Sequence, residues 1–183
     1  MLSHKIHRAM RSPKIYVEFY VEKIFPVCYR ILMPGKLSNP VSILIADDDA
    51  QDAMLVQMAV RRASLGLRLE TVSDGEEAIN YLLGRSSYAD RSTHPFPNLM
   101  LLDLKMPRLN GFDVLDFVRR QPGLRQLPVV IFSSSDDPGD IRRAYDAGAN
   151  SYLCKPHSND DLSALLRALE EYWCKFNHFP PCH

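Results

Sequence analysis

At 183 residues the chain is long enough to enclose one full hydrophobic core and too short for two large ones. Its 46% hydrophobic and 24% charged residues are the proportions of an ordinary soluble globular protein, which excludes a disordered or low-complexity chain. The formal net charge is zero, so bulk electrostatics select no particular partner. The charge is uneven along the chain. Residues 1–32 carry Lys5, Arg8, Arg11, Lys14, Lys23 and Arg30 against Glu18 and Glu22, a balance of +4, leaving −4 for the rest. That acidic remainder suits a domain built round a cation-binding pocket.

Residues 1–40 hold Pro13, Pro26, Pro34 and Pro40 without an amphipathic period. They read as an N-terminal extension, poorly structured or the product of an artefactual upstream start, with Met33-Pro34-Gly35 just ahead of the domain. No apolar stretch reaches the ~18 residues of a membrane span, and no signal-peptide core with a cleavage site precedes the domain. Cys28, Cys154, Cys174 and Cys182 form no CxxC pair or disulfide framework, so a cytoplasmic location is expected.

From residue 41 strands and helices alternate. Val41–Ala46 predicts the first strand and Ala50–Ser64 a helix, with Gly66 as its stop. Leu67–Val72 predicts strand two. Asp74 is set to cap a helix over Glu76–Leu83, which Gly84 ends. The connection from Arg85 to Pro97 exceeds the ~2–6 residues usual between a helix and a strand. Leu99–Leu102 predicts strand three, Phe112–Arg120 a helix, and Val129–Phe132 strand four. A helix follows within Asp140–Ala147, then strand five at Tyr152–Cys154, then a helix from Ser158 to about Trp173. Residues 41–173 thus form one α/β domain, and 174–183 a short tail. Five β/α units imply a five-stranded parallel sheet with helices on both faces, in the flavodoxin-like order 2-1-3-4-5.

Four of these apolar runs end in reactive side chains: Asp47-Asp48-Asp49, Asp103, Ser133, and Lys155-Pro156. Runs apolar on successive residues are strands buried on both faces, and ligand sites in such sheets form at the carboxyl edge. Order 2-1-3-4-5 sets strands one and three side by side, bringing Asp47, Asp48 and Asp103 together. Acidic groups there can hold Mg²⁺, which takes oxygen ligands. Lys155 offers a point charge and Ser133 a hydroxyl to a phosphoryl group, with Asp103 as nucleophile.

This set, from about Val41 to Trp173, resembles the response-regulator receiver domain of two-component signalling. Met106-Pro107, Asn110-Gly111 and Gly148-Ala149 also fit that family's signatures. The resemblance implies that Asp103 is the phosphoacceptor, served by Ser133 and Lys155. It implies that Mg²⁺ is held by Asp47, Asp48, Asp103 and the backbone carbonyl of Lys105. Ser133 and Tyr152 would be the switch pair, coupling phosphorylation to the surface of helix four, strand five and helix five. The Lys155–Pro156 bond would be cis.

The long Arg85–Pro97 connection, Ser133-Ser134-Ser135, Asp140-Ile141, Gly148-Ala149-Asn150-Ser151-Tyr152 and Tyr172-Trp173 resemble the stand-alone regulators, those associated with cyanobacterial-type phytochromes above all. The expected partner is a sensor histidine kinase, phytochrome-like in that case, and a downstream protein. Fewer than fifteen residues follow Trp173, so no DNA-binding domain is expected. A homodimer would use Tyr172, Trp173, Phe176 and Phe179. No turnover of a separate substrate is expected, so the chain is not read as an enzyme. Two alternatives stay open: a non-phosphorylated pseudo-receiver acting as a contact module, and an Asp-nucleophile phosphohydrolase. The latter needs a second Asp two residues after the nucleophile, where this chain has Lys105. His157 reads as an exposed loop residue. Cys174, His178, Cys182 and His183 lack the spacing of a zinc finger, and metal binding by the tail is left open.

Overall fold

The computed structural model describes residues 40–180. The expected N-terminal extension, apart from Pro40, and Cys182 and His183 of the tail lie outside the described residues. Five strands form one parallel sheet in the order β2-β1-β3-β4-β5, as the alternating pattern predicts. They are β1 (Val41–Ala46), β2 (Leu67–Val72), β3 (Leu99–Leu102), β4 (Val129–Ser133) and β5 (Ser151–Cys154). The three central strands are buried throughout, whereas β2 and β5 at the edges are half-buried along most of their length. That contrast follows from sequence: VSILIA, LMLL and VVIFS can lie between two helical layers, while LRLETV must keep Arg68 and Glu70 wet.

The helices are α1 (Ala50–Arg62), α2 (Gly75–Leu83), α3 (Gly111–Arg120), α4 (Pro138–Asp146) and α5 (Asn159–Glu170). Each starts at a side-chain cap. Asp49 accepts from the Gln51 amide, Asp74 from Glu77, Asn110 from Phe112 and Asp113, Asp137 from Gly139 and Asp140, and Ser158 from Asp161. Helix α4 begins two residues ahead of the expected Asp140, because Asp137 caps it and Pro138 fits its first turn. Helix α1 stops at Arg62, with Ser64 rather than Gly66 in the left-handed region. The last helix passes at Glu171 into a π-helical turn through Phe176.

One core lies between β1, β3, β4 and the helices α1 and α5. Val56, Ala59 and Val60 of α1 and Leu162, Leu166 and Leu169 of α5 pack on Ile43, Ile45, Leu99, Leu101, Val130 and Phe132. Trp173 and Phe179 close its rim, their rings stacked with centroids 6.2 Å apart. The long connection before β3 is folded rather than loose. It contains a 3₁₀ turn at Ser86–Tyr88, and the rings of Tyr81, Tyr88 and His94 cluster, with the Tyr81 hydroxyl donating to the Pro95 carbonyl at 2.9 Å.

Candidate functional site

Register brings the reactive side chains to one level. In the β1–β3 pairing Ala46 faces Leu102, so Asp47 and Asp103 leave their strands side by side. The Asp103 amide donates to Ala46 (2.9 Å) and the Asp47 amide to Val72 (3.1 Å), fixing both backbones at the carboxyl edge. In the β4–β5 pairing Ser133 faces Cys154, and the Lys155 amide donates to the Ser133 carbonyl at 2.8 Å. Residues more than a hundred positions apart therefore share one rim.

Asp47, Asp48 and Asp103 each offer a carboxylate oxygen, all within 4.8 Å of one another. Asp47 and Asp103 are buried and Asp48 is exposed, leaving the cluster open on one side. The Lys155 ammonium lies 2.8 Å from Asp47 Oδ2 and 3.6 Å from Asp103 Oδ2. It also lies 2.8 Å from Asp52 Oδ2, on the first turn of α1. Backbone amides hold the remaining oxygens: Asp49 donates to Asp47 Oδ1 at 3.0 Å and Leu104 to Asp103 Oδ1 at 2.8 Å.

Burial pushes the Asp47 carboxyl above the ordinary carboxylate range, against the lowering influence of Lys155. Burial also disfavours the Lys155 ammonium, but its hydrogen bonds to Asp47 and Asp52 and the charge of Asp103 outweigh it, and its pKa is raised. Lys155 is thus firmly charged. Three carboxylates, of Asp47, Asp52 and Asp103, lie within 4 Å of this single ammonium and Asp48 joins the same cluster, an excess of negative charge that a divalent cation offsets. Clustered hard oxygen donors with one open side fit Mg²⁺, which takes carboxylates and retains waters.

Ser133 supplies a second sign of an incoming group. Its side chain is fully buried, and its Oγ has no hydrogen-bond partner. A buried hydroxyl left unpaired costs about 1–3 kcal/mol, so such atoms gather where a ligand completes them.

The loop from Asp103 to α3 is held at two glycines. A Cβ on Gly111 would lie 2.2 Å from the Asp103 carbonyl, and one on Gly75 would lie 2.2 Å from that of Leu109. Arg108 on this loop pairs with the fully buried Asp74 at the start of α2. Lys105, two residues beyond Asp103, has an exposed side chain.

Tyr152 is half-buried on edge strand β5. Its hydroxyl donates to the Ser135 carbonyl at 2.9 Å, and the Ser135 hydroxyl bonds Asp140 at 2.6 Å. His157 is exposed, as expected. One expectation is corrected: no peptide bond among the described residues is cis, so Lys155–Pro156 is trans. The trans isomer is intrinsically favoured by about 0.5–1 kcal/mol even before proline, and here Lys155 reaches Asp47 without the cis form. Asp52 was not among the expected site residues. An acid in a first helical turn usually just complements the helix dipole. Its position, five residues after Asp47 on the helix leaving β1, is the signal that sets it above the same rim.

A family model described as the response regulator receiver domain matches residues 43–167. The probable methanogenesis regulatory protein FilR2 of Methanothrix harundinacea is 36% identical over 142 residues, 78% of this chain and 89% of that protein. The Mn²⁺-bound structure of response regulator Rcp1, a Synechocystis protein, is 30% identical with a TM-score of 0.68, covering 77% of this chain and 99% of that one. The phosphorylated cyanobacterial phytochrome response regulator RcpA is 32% identical with a TM-score of 0.70, covering 76% of this chain and 98% of that one.

Proposed function

The chain belongs to the response-regulator receiver family of two-component systems, and from that premise we propose that it accepts a phosphoryl group on Asp103 from a sensor histidine kinase and passes the change to a protein partner. The observation that carries this reading is the unpaired, fully buried Ser133 hydroxyl at the rim that also holds Asp103 and the charged Lys155. In the proposed transfer an Asp103 oxygen forms a bond to phosphorus as the bond to the donor histidine nitrogen breaks. The Lys155 ammonium balances charge on one phosphoryl oxygen, and Ser133 donates its hydroxyl to another. Asp47, Asp48, Asp103 and the Lys105 carbonyl would hold Mg²⁺, which neutralises the remaining oxygens.

The phosphoryl adds ~−1.5 to −2 charge at this rim. Drawing Ser133 toward it shifts the end of β4, and with it Ser135, whose carbonyl holds the Tyr152 hydroxyl. Tyr152 then leaves that bond, and the surface of α4, β5 and α5 changes. Phosphorylated RcpA and Mn²⁺-bound Rcp1 support both halves of the reading by similarity. RcpA is a cyanobacterial phytochrome response regulator, and similarity to it favours a phytochrome-like kinase as donor. The protein is a switch that mediates its own phosphorylation and turns over no separate substrate. Lys105 occupies the position where a phosphohydrolase of this nucleophile class requires its second aspartate. No helix among the described residues is long and apolar enough to cross a membrane, and a cytoplasmic setting accords with a kinase partner.

Intact-protein mass after incubation with acetyl phosphate and Mg²⁺ tests the proposal. One Mg²⁺-dependent phosphoryl adduct is expected on the wild type and none on Asp103→Asn. A folded wild type that acquires no adduct, from acetyl phosphate or from a panel of kinases, is instead a contact-only receiver.

A further inference from the structure

The Lys155 ammonium divides itself between two carboxylates at equal range. Asp47 Oδ2 and Asp52 Oδ2 each lie 2.8 Å from Nζ, with Asp103 Oδ2 farther off at 3.6 Å. The two near partners differ in kind. Asp47 is buried, closes the Asp48–Asp103 cluster, and is a ligand in the reading above. Asp52 is about one-third exposed, stands on the first turn of α1, and lies outside that cluster.

A cation entering the cluster competes with Lys155 for Asp47. An ammonium next to a metal site opposes occupancy twice, by blocking a ligand oxygen and by repelling the ion. With Asp47 and Asp103 both turned to the ion, a mostly buried ammonium with no other carboxylate would be costly, because a buried charge needs a partner. Asp52 supplies that partner already in place, at the same distance and with no rotation of the Lys155 backbone.

We propose that Asp52 is a positioning residue for the phosphoryl-transfer site, taking over Lys155 when a divalent cation takes Asp47. This rests on the reading that Asp47, Asp48 and Asp103 hold Mg²⁺. Asp52 makes the metal and the ammonium compatible neighbours, and it keeps Lys155 at the rim for the phosphoryl group rather than on a metal ligand. Without it, Lys155 stays on Asp47 and the metal binds against it.

The test is Mg²⁺ binding by titration calorimetry on the full chain, without any phosphodonor. Wild type, Asp52→Asn, Lys155→Met and the double variant are compared. Asp52→Asn is expected to weaken Mg²⁺ binding about threefold to tenfold, the range of a partly buried ion pair. The same change in the Lys155→Met background is expected to have no effect, because the ammonium that Asp52 serves is gone. Equal weakening in both backgrounds would mean that Asp52 acts only as one negative charge near the site, and would overturn the proposal, as would unchanged or tighter binding in Asp52→Asn alone. If Lys155→Met does not fold, the ratio of wild type to Asp52→Asn is read at about 0.1 M and about 0.5 M salt. A contact effect through Lys155 keeps that ratio, whereas a long-range charge effect loses it as the screening length shrinks. A wild type that binds no Mg²⁺ refutes the metal reading itself, a result separate from any difference between the variants.

Discussion

Ser133 separates what the unmodified protein needs from what the switch needs. Its hydroxyl is buried at the rim without a partner, which burdens the fold in the absence of an incoming group. Ser133→Ala should therefore be neutral or stabilising by about 1 kcal/mol in urea unfolding of the unphosphorylated protein. The same substitution should slow adduct formation with acetyl phosphate, since one donor to the phosphoryl is lost. Loss of both stability and phosphorylation would assign Ser133 an ordinary packing role. The residues legible in sequence were those that ended apolar runs: Asp47, Asp103, Ser133 and Lys155. Asp52 was not, because it sits inside a helix whose periodicity explains it without reference to the site. The trans bond before Pro156 departs from the isomer the resemblance implies, and it meets the local contacts of Lys155.

Among the elements, the loop from β3 to α3 is where backbone closeness matters most. The Gly111 amide donates to the Leu104 carbonyl at 3.0 Å, and its Cα faces the Asp103 carbonyl too closely for any side chain. Gly111→Ala places a methyl group against main chain, which cannot move as a flexible side chain would. A loss of about 3 kcal/mol in urea unfolding is expected, with weaker Mg²⁺ binding because Asp103 and Lys105 are displaced. Stability within about 0.5 kcal/mol of wild type would show that the loop yields. Strand positions were readable to within a residue because burial on both faces leaves an uninterrupted apolar run. Helix starts were harder. Asp136-Asp137-Pro138-Gly139 has the composition of a turn, yet Asp137 bonds the Gly139 and Asp140 amides and starts α4 there. The π-helical end at Glu171–Phe176 follows no period that sequence inspection detects.

For the whole molecule, strand order was legible because connection patterns restrict a five-unit β/α chain to few arrangements. The surface was less so. Of the four aromatics expected to form a dimer face, Trp173 and Phe179 serve this chain's own core, while Tyr172 and Phe176 are 56% and 68% exposed. The homodimer expected from the sequence would therefore rest on the latter two. Light scattering should give twice the chain mass, falling to one chain in Tyr172→Ser/Phe176→Ser. A wild type that is monomeric with and without beryllofluoride would exclude it.

The hydrogen bond from the Lys155 amide to the Ser133 carbonyl has a mechanical meaning. The residue that in the proposed transfer would offer its hydroxyl also carries, on its own carbonyl, the residue that would offer the ammonium. Their main chains are tied to each other at the rim. On the proposed function, a shift of the Ser133 main chain toward a phosphoryl group would carry the Lys155 main chain with it, so the hydroxyl and the ammonium would be repositioned together.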